Sequence, residues 1–596
     1  MTRNGIGFLI LAILAGVTAG AAQIPHAQAY HPHRIMLKFT AGSNLFTEAR
    51  LATIAADGVV QTSAASPQNL SRFSSAHKIT KLQAAKPDAS LAPLPGGMER
   101  IFFAEVDPSV DLMQSIAALQ QTGEFEYVEP DYVGYGEGSP VTAPGVPVAS
   151  PSLAPNDPYF GYEWGFQNTG QTINSVVGKA GADINIVPAW GITTGNPRTL
   201  LTVLDTGIPL TAAEFAGRLI QGYDFVNNDA SPADDQGHGS NTMSVAGATG
   251  NNGAVMAGVN WRCRLQSIKV LDASNSGYYT WWISGLRLAA DSGAKVISMS
   301  MGGSSASSTL ADAVTYASGK GAIVVACMMN NNNEIPYYPA AYTNVIAVGA
   351  LNNLDRRAVP FCWGGGSSYG AHIDFVAPGE MIYGLYYLDP TQVSAWCGTS
   401  QATPMVSGII SLMLGLDSSL TFQQVYDKLK ASAHDRIGDA TEDVAGWDKY
   451  YGWGRVDAYG ALQLVTTDVQ EPAPATPQGY ALEQNYPNPF NPSTKIVYTV
   501  AASGSGVSGL GAGAAGGATN SDLRYQNSEI RIPGSSWVRL SIYDVLGREV
   551  AVLVNEPKAS GSYTATWNAA GVASGIYFYR LTGGGFTDVK KMAVLR

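Results

Sequence analysis

Between Asn156 and about Val465, short runs of apolar and β-branched residues alternate with helical stretches, and this alternation restricts the fold more than any other feature of the chain. Leu200-Leu-Thr-Val-Leu204, Ala294-Lys-Val-Ile-Ser-Met299 and Gly321-Ala-Ile-Val-Val-Ala326 read as strands. The helical pattern Trp281–Ser292 lies between the first and second of these, and Thr309–Lys320 between the second and third. Strand and helix alternating at that spacing predict an α/β fold, a parallel sheet with crossover helices.

The flanks read differently. At 596 residues the chain is long enough for about three or four domains. Arg3 followed by the apolar run Phe8–Val17 and small-x-small sites at Ala19–Ala21 and Ala27–Ala29 form a secretory signal over residues 1–29. No later window reaches the 18 apolar residues of a membrane span. Residues 30–135 mix the strand-like runs Arg34–Phe39 and Ile101–Val106 with a helical stretch, Val110–Gln120. Residues 136–155 form a Pro/Ala/Gly/Val linker, and a second Pro-rich linker covers 467–480. The tail, 481–596, carries only strand-like runs and predicts an all-β sandwich, interrupted by low-complexity Ser503–Ala518. A net charge of −11 gives no electrostatic case for nucleic acid or an anionic membrane. Four cysteines in so long a chain are no disulfide scaffold, and they allow three full pairings.

Three motifs in the α/β region stand where a strand or helix meets a loop. Val203-Leu-Asp-Thr-Gly207 ends a buried strand on an acid, which alone reads equally as a turn or cap residue. Gly237-His-Gly-Ser240 holds a histidine between glycines, where ring and backbone are both approachable. In Gly398-Thr-Ser-Gln-Ala-Thr-Pro-Met-Val-Ser-Gly408, a serine precedes a helix-forming run whose N–H groups can stabilise an oxyanion.

With these motifs in the order Asp, His, Ser, 33 and 162 residues apart, the region from about Asn156 to Leu462 resembles the subtilisin-type serine peptidases. Trp164–Gly170, Ile268–Asp272, Ile297–Gly303, Val345–Gly349 and Tyr451–Asp457 support the likeness. The resemblance implies a secreted endopeptidase with a subtilisin-like parallel sheet. Ser400 is then the nucleophile, His238 the general base and acid, and Asp205 the group orienting His238. It also implies an oxyanion hole from the Asn330 side chain and the Ser400 N–H, with Asn331 one register away. No cofactor is required for the chemistry. Two departures from the family pattern stand out. Ser240-Asn-Thr-Met-Ser-Val-Ala-Gly247 rearranges the small residues after the histidine, and Met329 stands where glycine is usual. The resemblance implies that Ser300, Met301 and Gly302 wall the substrate pocket and that Met329 floors it, which predicts a shallow pocket for small residues.

The resemblance further implies structural calcium at Asp157, Glu214, Asn252 and backbone carbonyls, with part of a second site in Asp224–Asp229 and Ser231. With the family fold assumed, Cys263 begins a strand and Cys327 ends one, at opposite edges of the sheet. Cys362 and Cys397 both lie near the nucleophile loop and form the expected pair. Residues 30–135 resemble the family's inhibitory propeptides, ending in Phe125-Glu-Tyr-Val-Glu-Pro-Asp-Tyr132, with activation by a cut within Gly134–Asn156.

Asn485-Tyr-Pro-Asn-Pro-Phe-Asn-Pro-Ser-Thr494, Leu540–Arg548, Gly575–Arg580 and the closing Lys590–Arg596 resemble the sorting domains of type IX secretion substrates. That likeness implies export through the periplasm and outer membrane to the surface or medium. A carbohydrate-binding sandwich using Trp567, Tyr577 and Tyr579 is the competing reading of the tail. Expected partners are protein or peptide substrates, the chain's own propeptide and the secretion machinery, with the enzyme itself a monomer. The alternative from another class is a catalytically inactive surface or adhesion protein on the same scaffold. Retention of Asp205, His238, Ser400 and Asn330 together argues against it.

Overall fold

A computed structural model describes residues 29–55, 58–61, 68–88, 92–138, 140–141, 154–467, 479–501 and 535–595. The predicted signal peptide, most of both linkers and Ser503–Ala518 lie outside them. Contacts divide the chain into two units, 1–467 and 468–596.

The first unit opens with β1 (Tyr30–Phe39), α1 (Asn44–Ala55), β2 (Val59–Gln61), α2 (Gln68–Ala76), β3 (Ile79–Ala84), β4 (Ile101–Val106), α3 (Leu112–Gln120) and β5 (Phe125–Gly136). Asp111 caps α3 by accepting the Gln114 N–H, which starts that helix two residues later than its pattern predicts. The strands pair antiparallel in the order β5-β1-β4-β3-β2. Side-chain alternation gives this sheet two apolar faces. Ile35, Leu37, Phe39, Phe102 and Ala104 pack under α1–α3, whereas Met36, Ile101 and Phe103 join a core shared with helices further along the chain.

Past β6 (Pro140–Val141), a small hairpin of β7 (Thr172–Ile173) and β8 (Val176–Val177), and α4 (Ile186–Trp190), the predicted alternation begins. Its elements are β9 (Leu200–Asp205), β10 (Tyr223–Asp224), α5 (His238–Gly247), β11 (Arg264–Lys269), β12 (Ser276–Tyr278), α6 (Tyr279–Asp291), β13 (Val296–Met299), β14 (Met301–Gly302), α7 (Ser308–Gly319) and β15 (Ile323–Cys327). There follow β16 (Val345–Leu351), β17 (Phe375–Pro378), β18 (Ile382–Tyr386), β19 (Asp389–Trp396), α8 (Thr399–Leu416), α9 (Phe422–Ser432) and α10 (Ala458–Thr467). Seven strands form one parallel sheet, β10-β11-β9-β13-β15-β16-β17. Helices cover both faces, so its strands are apolar on both. Leu201, Val203, Val325 and Val348 face α5 and α8, while Leu200, Leu204, Val324 and Ala347 face α6 and α7.

The β5 strand ties the N-terminal sheet to this one. Glu129 accepts N–H bonds from Ser308 and Thr309 and hydroxyl bonds from Ser307 and Thr309, capping α7. Asp131 does the same for α6 through the N–H and hydroxyl of Thr280. Each acid lies on the positive end of a helix, where carboxylates are favoured.

The second unit holds β20 (Ala481–Leu482), β21 (Ser493–Val500), β22 (Ser535–Tyr543), β23 (Glu549–Ala559), β24 (Gly561–Asn568), β25 (Gly575–Gly583) and β26 (Phe586–Val594). They form antiparallel sheets β20-β21-β24 and β23-β22-β25-β26 around one core, the predicted sandwich. Trp567, Tyr577 and Tyr579 are buried in that core, and the Tyr579 hydroxyl donates to the Glu483 carbonyl. They are packing residues and offer no ring face to a sugar.

Candidate active site

Asp205 is the last residue of β9 and is buried. Its Oδ1 lies 2.7 Å from Nδ1 of His238 and accepts the Thr206 N–H at 2.7 Å, while Oδ2 accepts the Thr242 hydroxyl at 3.0 Å. A carboxylate held on both oxygens has a fixed direction, and here it points at the imidazole. His238 is the first residue of α5, entered through Gly237 at φ +110°, a left-handed conformation that favours glycine. The next glycine is dictated by crowding: a Cβ on Gly239 would stand 2.2 Å from the Gly207 carbonyl oxygen. Burial lowers the His238 pKa, but the Asp205 charge and hydrogen bond outweigh it and leave the pKa raised.

Ser400 lies in the first turn of α8, which is buried on every side down to Leu414. Pro404 stands four residues later and has no N–H to give the Ser400 carbonyl. The Ser300 hydroxyl supplies that bond, donating to the Ser400 carbonyl at 2.8 Å. Ser300 thus braces the serine. The Ser400 hydroxyl in turn lies 2.8 Å from the Glu137 carbonyl oxygen and 3.2 Å from that of Ser300.

The two candidate asparagines point in different directions. Oδ1 of Asn330 accepts the Thr399 N–H at 2.8 Å and the Thr399 hydroxyl at 2.9 Å, which leaves its buried Nδ2 without a partner. That Nδ2 would lie 2.9 Å from a Cβ built on Gly398, beside the serine loop. Asn331 points elsewhere, its Nδ2 reaching Oε1 of Glu137 at 3.3 Å. Met329 adopts φ +66° and is buried with Cys327 and Tyr337. Its Sδ would stand 2.9 Å from a Cβ on Gly302. The Glu137 carboxylate lies close enough for its charge to act on both Cys327 and Tyr337 of this cluster.

Sequence reasoning missed several contributors. Thr206 accepts the Gly239 N–H and donates to Asp234, and Asp234 gathers the N–H groups of Gln236, Gly237 and Ser240. Together they shape the turn that delivers His238. An acid four residues before the histidine was the available signal. Glu137, hidden in a Gly-rich linker, gave none.

The residues expected to hold calcium do come together. Asp157 accepts the N–H groups of Asn251 and Asn252, and the Asn252 amide donates to Glu214 at 2.9 Å. Glu163 lies close enough that both acids raise its pKa after burial has done so, and its Oε1 has no partner. The described residues contain no group of three or more His, Cys, Asp or Glu disposed to hold a metal. In the second loop both Asp224 oxygens accept bonds from within the loop, as turn acids do. Cys362 and Cys397 form a disulfide, the expected pair, while Cys263 and Cys327 are free and buried. Burial first pushes the Cys327 thiol up to about 12, with the Glu137 charge adding to it, which leaves it inert as a nucleophile.

Residues 197–454 match the profile of the family described as "Subtilase family", and residues 526–595 match that described as "Secretion system C-terminal sorting domain". Thermitase of Thermoactinomyces vulgaris is 36% identical over 311 residues, 52% of this chain and 99% of that protein. A thermophilic serine proteinase of Bacillus sp. (strain AK1) is 32% identical over 348 residues, 58% of this chain and 75% of that protein. Subtilisin DY of Bacillus licheniformis is 34% identical over 265 residues, 44% of this chain and 89% of that protein.

Proposed function

The chain belongs to the subtilase family of serine endopeptidases, and from that premise we propose that Asp205, His238, Ser400 and Asn330 carry out the hydrolysis, on proteins outside the cell. The observation that carries the reading is the buried 2.7 Å Asp205–His238 pair, which meets the same Glu137 carbonyl that accepts the Ser400 hydroxyl, with the unpartnered Asn330 Nδ2 beside the serine loop. Ser400 attacks the scissile carbonyl, and His238 takes its proton and returns it to the leaving amine. Asp205 holds the ring tautomer and balances the imidazolium. Asn330 Nδ2 and the Ser400 N–H receive the negative oxygen. Casein should be digested by the wild type and left intact by Ser400→Ala. Asn330→Ala should lower kcat by about 100- to 1,000-fold with little change in KM. Equal digestion by Ser400→Ala would sink the reading and favour an inactive scaffold.

Residues 30–135 act as the inhibitory propeptide in this reading, and residues 156–466 as the peptidase domain, working as a monomer. Its support is the capping of α6 and α7 by Asp131 and Glu129. The sorting domain sends the product through the periplasm and outer membrane, by the type IX route, to the surface or the medium. Asp157, Glu214 and Asn252, with the orphaned Oε1 of Glu163 near the two acids, carry oxygens of the kind calcium takes, and the N–H groups that Asp157 and Glu214 now accept would have to give way to the ion. Bound there, calcium would supply no chemistry and would pin the entry segment to the loop at 249–256. EGTA should then lower the Tm of the mature enzyme by several degrees, with recovery on adding calcium. An unmoved Tm counts against the site.

A further inference from the structure

The segment that enters the cleft is the chain's own. Beyond its N-terminal sheet β5 continues between β12 and β14, pairing antiparallel with both: Gly134 faces Gly277, Tyr135 faces Ser276 and Gly302, and Gly136 faces Met301. On the far side of Ser400, β6 pairs antiparallel with β19, Pro140 opposite Trp396 and Val141 opposite Ala395. Between these two pairings the backbone at Glu137 lies on the serine, as an extended substrate lies on a protease by β-augmentation.

Its centre is Glu137. Its carbonyl oxygen accepts the Ser400 hydroxyl at 2.8 Å. A Cβ on Gly398 would lie 3.3 Å from that oxygen and 2.9 Å from the unpartnered Asn330 Nδ2, so both atoms surround one point. The Glu137 side chain turns into the pocket: Oε2 accepts the Asn330 N–H at 2.9 Å and Oε1 the Asn331 amide at 3.3 Å. It lies near enough to Cys327 and Tyr337 for its charge to act on both. The neighbouring positions fit only glycine. A Cβ on Gly134 would stand 2.1 Å from the Trp282 ring, and one on Gly136 would stand 2.3 Å from Asn275 Oδ1. Gly138, just after, has φ +139°.

We propose that Glu137–Gly138 is the bond the enzyme cuts to release its own N-terminal segment, and that the pocket formed by Met329, Asn330 and Asn331 selects glutamate before the cut, an assignment that rests on Ser400 being the nucleophile. The Ser400 hydroxyl turns to Nε2 of His238, which has no partner, and gives up its proton there. The Oγ–C bond to Glu137 forms, the C–N bond to Gly138 breaks, and the imidazolium proton goes to the Gly138 amine. A water deprotonated by His238 then releases the Glu137 carboxylate and restores Ser400. Among the described residues no lysine or arginine is paired with the carboxylate, so selection works through the two N–H donors, of which the buried Asn330 N–H is the one an aliphatic residue leaves unpaired.

Two measurements test this on the full-length protein and its mature product. In wild-type protein sampled early in processing, mass spectrometry should find the released segment ending at Glu137, while Ser400→Ala stays uncut. A released segment ending at any other residue overturns the assigned bond. On the mature enzyme, a Gly-Tyr-Gly-Glu p-nitroanilide should be cleaved at least 10-fold faster than its Leu and Phe counterparts. Asn331→Ala should reduce that preference by about 10-fold through KM. Faster cleavage of the Leu or Phe peptide, with casein digestion still dependent on Ser400, overturns the glutamate pocket alone. Casein digestion that does not need Ser400 overturns the nucleophile and this assignment with it.

Discussion

At the scale of single residues, the activity should depend on one proton. His238 must be neutral to accept from Ser400, and the Asp205 charge raises its pKa above the ordinary 6.5 despite burial. The acid limb of kcat/KM against pH should therefore sit above 6.5. The same shift bears on stability: the pair's contribution is complete below the unfolded pKa and is lost as pH rises through the folded one. Asp205→Asn removes the charge and leaves the burial, so the limb should move down in pH while kcat falls by about 10,000-fold. An unmoved limb would show that another group sets it. The three residues proposed to react were legible because each lies in a short motif with its own turn chemistry. Ser300's bond to the Ser400 carbonyl was not legible, since it spans 100 residues and answers a proline's missing N–H.

Among elements, the loops around α8 have the most to hold in place. The Cys362–Cys397 bond closes a loop with a sequence separation of 35. Cys397 lies three residues before Ser400, and its carbonyl accepts the Trp363 indole N–H at 2.7 Å. Closing a loop of that length stabilises by about 3–4 kcal/mol through the unfolded state. Replacing both cysteines by serine should lower Tm by about 5 °C for a domain of this size. It should also cut activity, because the serine loop loses a tether. A Tm within a degree of the wild type would refute the estimate. Strand and helix periods placed these elements to within a residue or two: Trp281–Ser292 became Tyr279–Asp291, and Thr309–Lys320 became Ser308–Gly319. What the periods could not show is the path of β5, whose last residues look like linker. Val133-Gly-Tyr-Gly136 has no pattern of its own and takes its strand geometry from β12 and β14.

For the whole molecule, the shift in composition near residue 470 corresponds to a physical division. The first unit contains all of Asp205, His238, Asn330 and Ser400, with the disulfide and the N-terminal sheet. The second buries its own core, including Ile496, Leu540, Ile542, Tyr579 and Met592. Its sequence matches a secretion-system sorting domain, so its work is delivery. A unit with its own core can be removed without unsatisfying the other, since each carries its own share of apolar burial. A chain ended at Thr467 should therefore fold, process itself and digest casein within about two-fold of the full-length enzyme, an effect too small to reflect a lost catalytic contact. In the native host the same truncation should leave the protein inside the cell envelope and remove casein clearing around colonies. Clearing by the truncated strain would separate export from the tail. Inactivity of the purified 1–467 chain would mean that the sandwich supports the catalytic unit as well as its delivery.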